Sequence, residues 1–443
     1  MANELPIGKQ RAGRLVDFDP DTPEVQVTLE RTEHGVKVTL GWAGRDNPYA
    51  EWFDPNGTWT WRPVQENTAP RVLPKRLIFS DSHGDVLLTG CRSGGYHWSS
   101  NGLGSGTIWA HAAILGVDDD VDYANPHGVQ TEVSGLRRWL EATSWKLDLN
   151  YDDEGRTARI ESVRTPPIEI GTFNGIAFEA RKTWWIREDE EHDRTTLEDL
   201  VWLRTRGTEP VEWSVHMELH HAIRDLLVLS RWREETCVTV HAFRGDDLVK
   251  MLDGSTRGEQ WRDVIVPSEN RDEPTGGSLR HLVAYTDLGI EGIARWISLR
   301  NEFARALDPI ISCIDLHAHA NTLLAHTGPG LEALGYLLLL RDGLPKDKAR
   351  SATLHERLER ILEDISPAIP FHGPTWVDST VAVYNALKHA NRALPDEVDV
   401  ANAWRESVLA TRIWVAIELG VDPNKITERL RTDKQRNAYV RRD

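Results

Sequence analysis

Val25-Gln-Val-Thr-Leu-Glu-Arg-Thr-Glu-His-Gly-Val-Lys-Val-Thr-Leu40 contains two runs in which apolar and polar residues alternate, separated by Glu33-His-Gly35. A period of two turns alternate side chains to opposite faces of an extended chain, so the stretch reads as an antiparallel hairpin with one buried face. Outward from it the same pattern recurs. Leu77-Ile-Phe79 and Val86-Leu-Leu88 flank the turn Asp81-Ser-His-Gly-Asp85, and Ala158-Arg-Ile-Glu-Ser-Val163 is followed by Ile176-Ala-Phe-Glu-Ala180. These too are read as hairpin pairs, in a sandwich or an open barrel. The acidic run from Glu188 through Asp193 reads as a solvated hairpin tip.

The period changes further along. Pro210-Val-Glu-Trp213 opens a helical pattern through Leu219, Ile223, Leu226 and Leu229, and Cys237 to Phe243 returns to strand. Ser268-Glu-Asn-Arg-Asp-Glu-Pro-Thr-Gly-Gly-Ser278 is the most linker-like segment. Beyond it the period is helical, over Gly289 to Arg305, Asp308 to about Thr327, Gly330 to Arg341, Leu354 to Ile365, Ser379 to Leu394, Asp399 to Leu419 and a short helix from Pro423. The expected class is α+β: an antiparallel β-rich N-terminal region over residues 1–267 with one helix near 211–230, a linker at 268–278, and an all-α bundle over 279–443.

Composition narrows the function. The chain has 443 residues, long enough for two or three domains, with 40% hydrophobic and 27% charged residues. A formal net charge of −17 argues against a broad phosphate-binding surface, so any contact with nucleic acid is expected in a local pocket. Cys91, Cys237 and Cys313 lie far apart with no CxxC pair, which fits neither a zinc site nor a disulfide framework and suggests a reducing cytoplasm. No signal peptide and no bilayer-spanning stretch is expected.

Chemistry concentrates in Asp378-Ser-Thr-Val-Ala-Val-Tyr-Asn-Ala-Leu-Lys-His-Ala-Asn-Arg-Ala-Leu394. On a helix turning about 100° per residue, with Asn385 at zero, Lys388 falls near 300°, His389 near 40° and Arg392 near 340°, all on one face. A histidine can move protons to and from a ribose hydroxyl or a leaving oxygen. Neighbouring cations stabilise charge growing on phosphorus oxygens. The plain alternative is a solvated helix face that happens to carry one His. The nuclease reading requires the imidazole to look into a cleft shared with Asn385 and a cation.

The order of Leu331-Glu332-Ala-Leu-Gly-Tyr336, an intervening helix, and Tyr384-Asn385-Ala-Leu-Lys-His389 resembles the HEPN superfamily. More narrowly, the whole chain resembles the ApeA-like phage-defence proteins, through Leu77-Ile-Phe-Ser-Asp-Ser-His-Gly-Asp-Val-Leu-Leu-Thr-Gly-Cys91, Gly135-Leu-Arg-Arg-Trp-Leu140 and Leu331-Glu332-Ala-Leu334. The resemblance implies a HEPN-like bundle with an Arg-Asn-x-x-x-His motif. His389 and Asn385 match that motif, and Glu332 matches an acidic position earlier in the bundle. Tyr384 stands where the arginine is expected, so Lys388 or Arg392 must supply the charge or the site is lost. It further implies an abortive-infection ribonuclease with RNA as substrate, transfer RNA among the options, and no cofactor or metal. An unidentified phage trigger would act on the N-terminal region, and a homodimer would form with both motif helices on one groove. The alternative is a catalytically inactive HEPN-type module that binds RNA or protein.

Several other motifs are decoys on this reading. Arg187 to His192 and Arg350 to His355 satisfy a bare Arg-x4-His pattern in the wrong context, and Arg300-Asn301 lacks its histidine. Asp81-Ser-His-Gly-Asp85 resembles the opening of a metallophosphoesterase site without the later elements. His317-Ala-His319 and His216-Met-Glu-Leu-His220 have metal-ligand spacing but are read as structural, with helical spacing expected around both.

Overall fold

The computed structural model describes residues 3–18, 22, 24–43, 48–53, 72–99, 102–117, 121–152, 155–162, 166–189, 192–251, 253–267 and 280–441. The segment read as a linker lies outside the described residues. In chain order the strands are β1 (Gln10–Val16), β2 (Val25–Thr32), β3 (Gly35–Ala43), β4 (Arg76–Asp81), β5 (Gly84–Thr89), β6 (Arg92–Trp98), β7 (Leu103–Ala110), β8 (Ala112–Leu115) and β9 (Gly128–Val133). They continue with β10 (Trp145–Asp152), β11 (Gly155–Ser162), β12 (Ile168–Phe173), β13 (Ile176–Asp189), β14 (Arg194–Gly207), β15 (Cys237–Lys250) and β16 (Thr256–Ile265). The helices are α1 (Pro48–Phe53), α2 (Leu136–Trp139), α3 (Trp213–Arg231), α4 (Tyr285–Glu302), α5 (Ala304–Ser312) and α6 (Ala320–Arg341). Then come α7 (Lys346–Ser351), α8 (Leu354–Ile365), α9 (Gly373–Lys388), α10 (Glu397–Glu418) and α11 (Pro423–Leu430). The α+β class stands: antiparallel sheet precedes a helical region.

The opening hairpin forms as expected, β2 with β3 in the register Val27↔Leu40 and Leu29↔Val38. Its inward residues join a barrel that is closed rather than open. β1, β2 and β3 pair in turn, β4 and β5 continue from β1, and the chain of β7 and β8, bent at His111, pairs with β3 at one end and β5 at the other. The run Ala112-Ala-Ile-Leu115 is buried throughout because it faces two cores. Ala113 and Leu115 point into the barrel, and Ala112 and Ile114 into a second cluster with Tyr123 and Val264. A strand buried on both faces reads as an unbroken apolar run.

Through the pair β8 and β16, the barrel continues into a second antiparallel sheet, ordered β16-β15-β9-β14-β13-β12. β11 pairs with β10 as a separate ribbon, not with Ile176 to Ala180, which lie in β13 between β12 and β14. α3 lies against the second sheet, and its Ile223, Leu226, Leu227 and Leu229 belong to the same core as Trp296, Phe303, Leu334 and Trp414 of the helical region. One hydrophobic core therefore crosses from sheet to bundle.

Polar contacts fix that seam. The fully buried Arg412 of α10 donates to the carbonyls of Leu229 and Ser230 at the end of α3 (2.6 and 3.1 Å), and to Gln435 and Asp433 (2.7 Å each). Trp296 Nε1 donates to Ala222 O at 2.7 Å and Trp139 Nε1 to Val283 O at 2.9 Å. Carbonyls at a helix end lack intrahelical partners, so a buried guanidinium there satisfies both sides.

The bundle departs from expectation in its breaks. The chain divides at Phe303 and again at residues 313–319, and α6 runs unbroken through Gly328-Pro329-Gly330. Residues 317–319 are not helical, so the His317 and His319 pair lies on extended chain. α6 is long and apolar enough by composition to cross a bilayer, contrary to expectation, but its Leu323, Leu324, Leu331, Leu334 and Leu338 are buried in the bundle.

Candidate functional site

α9 starts earlier and ends earlier than its periodicity suggests. His372 caps it, with Nδ1 accepting the Thr375 amide at 3.3 Å, and Pro374 occupies the first turn, where a missing N–H costs nothing. At the other end His389 has φ −117° and ψ 107°, and its amide closes the last helical bond to Asn385 O at 3.1 Å. Arg392 sits in the following bend, its amide bonded to His389 O at 3.0 Å. The expectation of a continuous helix through Leu394, with four polar residues on one face, is therefore corrected. Lys388 is the last helical residue, and His389 and Arg392 are carried by the turn beyond it.

Three expected residues do converge. Glu332 on α6 receives Lys388 Nζ at 2.9 Å and lies 3.6 Å from Arg357 Nη1 of α8. The Tyr384 phenol lies close enough to the same carboxylate to feel its charge. Burial first, and then the Glu332 charge, push the Tyr384 phenol well above its usual range, so it stays protonated. The Lys388 ammonium lies 4.8 Å from the centre of the Tyr384 ring. That ring lies across Gly328, where any Cβ would collide with it, so the glycine lets α6 and α9 approach. Thus Tyr384, in the place of the family arginine, is a buried residue pointing to Glu332.

Asn385 is half-buried and His389 and Arg392 are exposed, and among the described residues none of the three side chains has a hydrogen-bond or ion-pair partner. A single copy of the chain therefore presents the imidazole at an open surface, one residue past the Glu332–Tyr384–Lys388 cluster. Sequence reasoning missed Arg357, because a cation reaching Glu332 from a third helix leaves no spacing signal.

The decoys resolve on geometry. Asp81 forms a two-pronged pair with buried Arg11 (2.6 and 2.8 Å) and accepts the His83 amide at 2.8 Å, so it locks a hairpin turn. His216 and His220 are fully buried in one directed chain. Thr131 Oγ1 lies 2.6 Å from His220 Nδ1, and His220 Nε2 lies 2.8 Å from Thr205 Oγ1. Thr205 Oγ1 is 2.9 Å from His216 Nδ1, and His216 Nε2 is 3.2 Å from Pro126 O. A carbonyl can only accept, so His216 donates from Nε2, Thr205 donates to His216, His220 donates to Thr205, and Thr131 donates to His220. Every proton is used with both rings neutral, and burial lowers both imidazole pKa values. No group of three or more potential metal ligands occurs among the described residues.

Residues 62–234 match the family model of ApeA N-terminal domain 1, so the β-rich half carries an ApeA-like domain. The match takes in β4 through α3 and stops short of the bundle. Comparison with curated proteins and with solved structures gives no match.

Proposed function

We propose that the chain is a phage-defence protein in which the β-rich half senses infection and the bundle, a HEPN-type domain, cuts RNA at the end of α9. The ApeA-like match supports the defence assignment. The observation that carries the catalytic part is the cluster at one helix end, where an unencumbered His389 follows Lys388, which is itself held by Glu332.

Cleavage of this kind needs two proton transfers. The ribose 2′-hydroxyl loses its proton as its oxygen attacks phosphorus, and the departing 5′-oxygen gains one, leaving a 2′,3′-cyclic phosphate and a free 5′-hydroxyl. One chain offers the exposed imidazole of His389. Two copies related by a two-fold axis offer two imidazoles and the walls of a groove, so the active form is a homodimer. Lys388 and Arg392 then face the phosphate, and Asn385 orients it.

A second reading is favoured by Tyr384. With a buried phenol beside Glu332 where the family places an arginine, the bundle acts as an inactive module that binds RNA or protein. Incubating the purified chain and His389→Ala with total RNA, with and without EDTA, separates the two. Cleavage that resists EDTA and disappears in the variant supports the nuclease. Intact RNA under activating co-expression with phage supports the binding module.

A further inference from the structure

A concavity lies far from α9 in sequence, in the ApeA-like region. Beyond the pair Trp202↔Glu132, strands β9 and β14 lose their pairing, while β9 continues with β15 through Val133↔Cys237. The gap is a cavity of about 200 Å³ whose wall includes Glu132, Ser134, Gly135, Arg137, Arg138 and Asp199.

Its wall carries Arg137 and Arg138 against Glu132 and Asp199, and only one cation and one carboxylate of the four are engaged with each other. Asp199 is engaged by Arg137 at 3.3 Å and by the Ser144 hydroxyl at 2.5 Å. Arg138 and Glu132 have no side-chain partner among the described residues. Behind the wall stands Arg231, fully buried and paired with Glu235, with Nη1 lacking any hydrogen-bond partner. Gly135, at φ +74°, leaves no room for a Cβ against that guanidinium, which brings the buried charge up to the cavity wall.

From these residues we infer that the cavity is a binding site for a compact phosphorylated sugar, its phosphate on Arg138 beside the buried Arg231 and a hydroxyl on Glu132. Guanidinium recognises phosphate through paired N–H donors. A carboxylate without a cation is an acceptor suited to a sugar hydroxyl. Pockets for drug-sized ligands span roughly 300–1,000 Å³, so this one admits a pentose phosphate and excludes a dinucleotide. The site is independent of the chemistry proposed at α9.

Isothermal titration of the full chain with ribose 5-phosphate, ribose and inorganic phosphate, at constant ionic strength, tests it. Saturable binding of ribose 5-phosphate is expected, weakened about tenfold or more in Arg138→Ala. Glu132→Gln is expected to reduce the preference for ribose 5-phosphate over inorganic phosphate. Both side chains are solvent-reachable, so thermal unfolding without ligand verifies that each variant folds like the parent. Absence of saturable binding, or equal affinity in parent and Arg138→Ala, overturns the site. Equal affinity for inorganic phosphate and ribose 5-phosphate overturns the assignment of Glu132.

Discussion

The α3–sheet seam and the end of α9 both carry histidines with suggestive spacing, and they use them in opposite ways. At the seam, His216 and His220 are fully buried and each ring nitrogen has a partner. At the end of α9, His389 is exposed with no partner among the described residues. An imidazole whose two nitrogens are committed to hydroxyls and a carbonyl has no proton to trade, whereas one left open can exchange with a substrate. Burial and completeness of hydrogen bonding identify a structural histidine better than spacing does.

The largest expected loss lies on the other side of α3, at its seam with the helical bundle. Arg412→Ala removes a buried cation and leaves Asp433 without its cation and Leu229 O without its donor, so stability is expected to fall by about 3–5 kcal/mol in chemical denaturation. A loss below about 1 kcal/mol would mean that solvent reaches the seam. Thr205→Val cuts the histidine chain at its middle, orphaning a donor on His220 and an acceptor on His216. The expected cost is about 2–3 kcal/mol.

Acidification sharpens the comparison. Both seam histidines have folded pKa values below the unfolded value near 6.5, so below that pH the unfolded chain binds protons the native one refuses. Stability is fully present above about pH 6.5 and is lost as pH falls, by up to ~1.4 kcal/mol per pH unit for each group. Denaturant midpoints between pH 7 and 5.5 measure it. His389→Ala itself is expected to change stability by no more than about 0.5 kcal/mol while abolishing RNA cleavage. Lys388→Ala removes a partly exposed ion pair and is likewise expected to cost at most about 1 kcal/mol of stability.

Most of the fold was legible because it rests on local pattern. The β2–β3 hairpin follows from alternation around Gly35, and α8 spans Leu354–Ile365 as its periodicity and Thr353–Glu356 capping box dictate. What was not legible depends on tertiary contact. Barrel closure needs β7 and β8 to act as one bent strand, and nothing local at His111 announces partners on β3 and β5. The residues after Lys388 have helical composition, but Leu394 is 81% exposed and finds nothing to bury against. Short helical segments depend on such packing, and Pro395 disfavours helix at the residue before it. Conversely, α6 persists through Pro329 because its neighbours hold both flanks. The site was legible to the same degree: Glu332, Tyr384 and Lys388 meet, while the expected shared face with His389 and Arg392 depended on a helical turn that does not form.

The placement of α3 bears on how such a chain can diversify. Because this helix lies within the ApeA-like match yet supplies Leu226, Leu227 and Leu229 to the interior of the bundle, a recombinant spliced near residue 270 would set foreign apolar surfaces against one another. Exchange of helical halves among related genes is workable only if the donor bundle brings side chains shaped to that helix. The two halves are thus constrained to evolve as a matched pair.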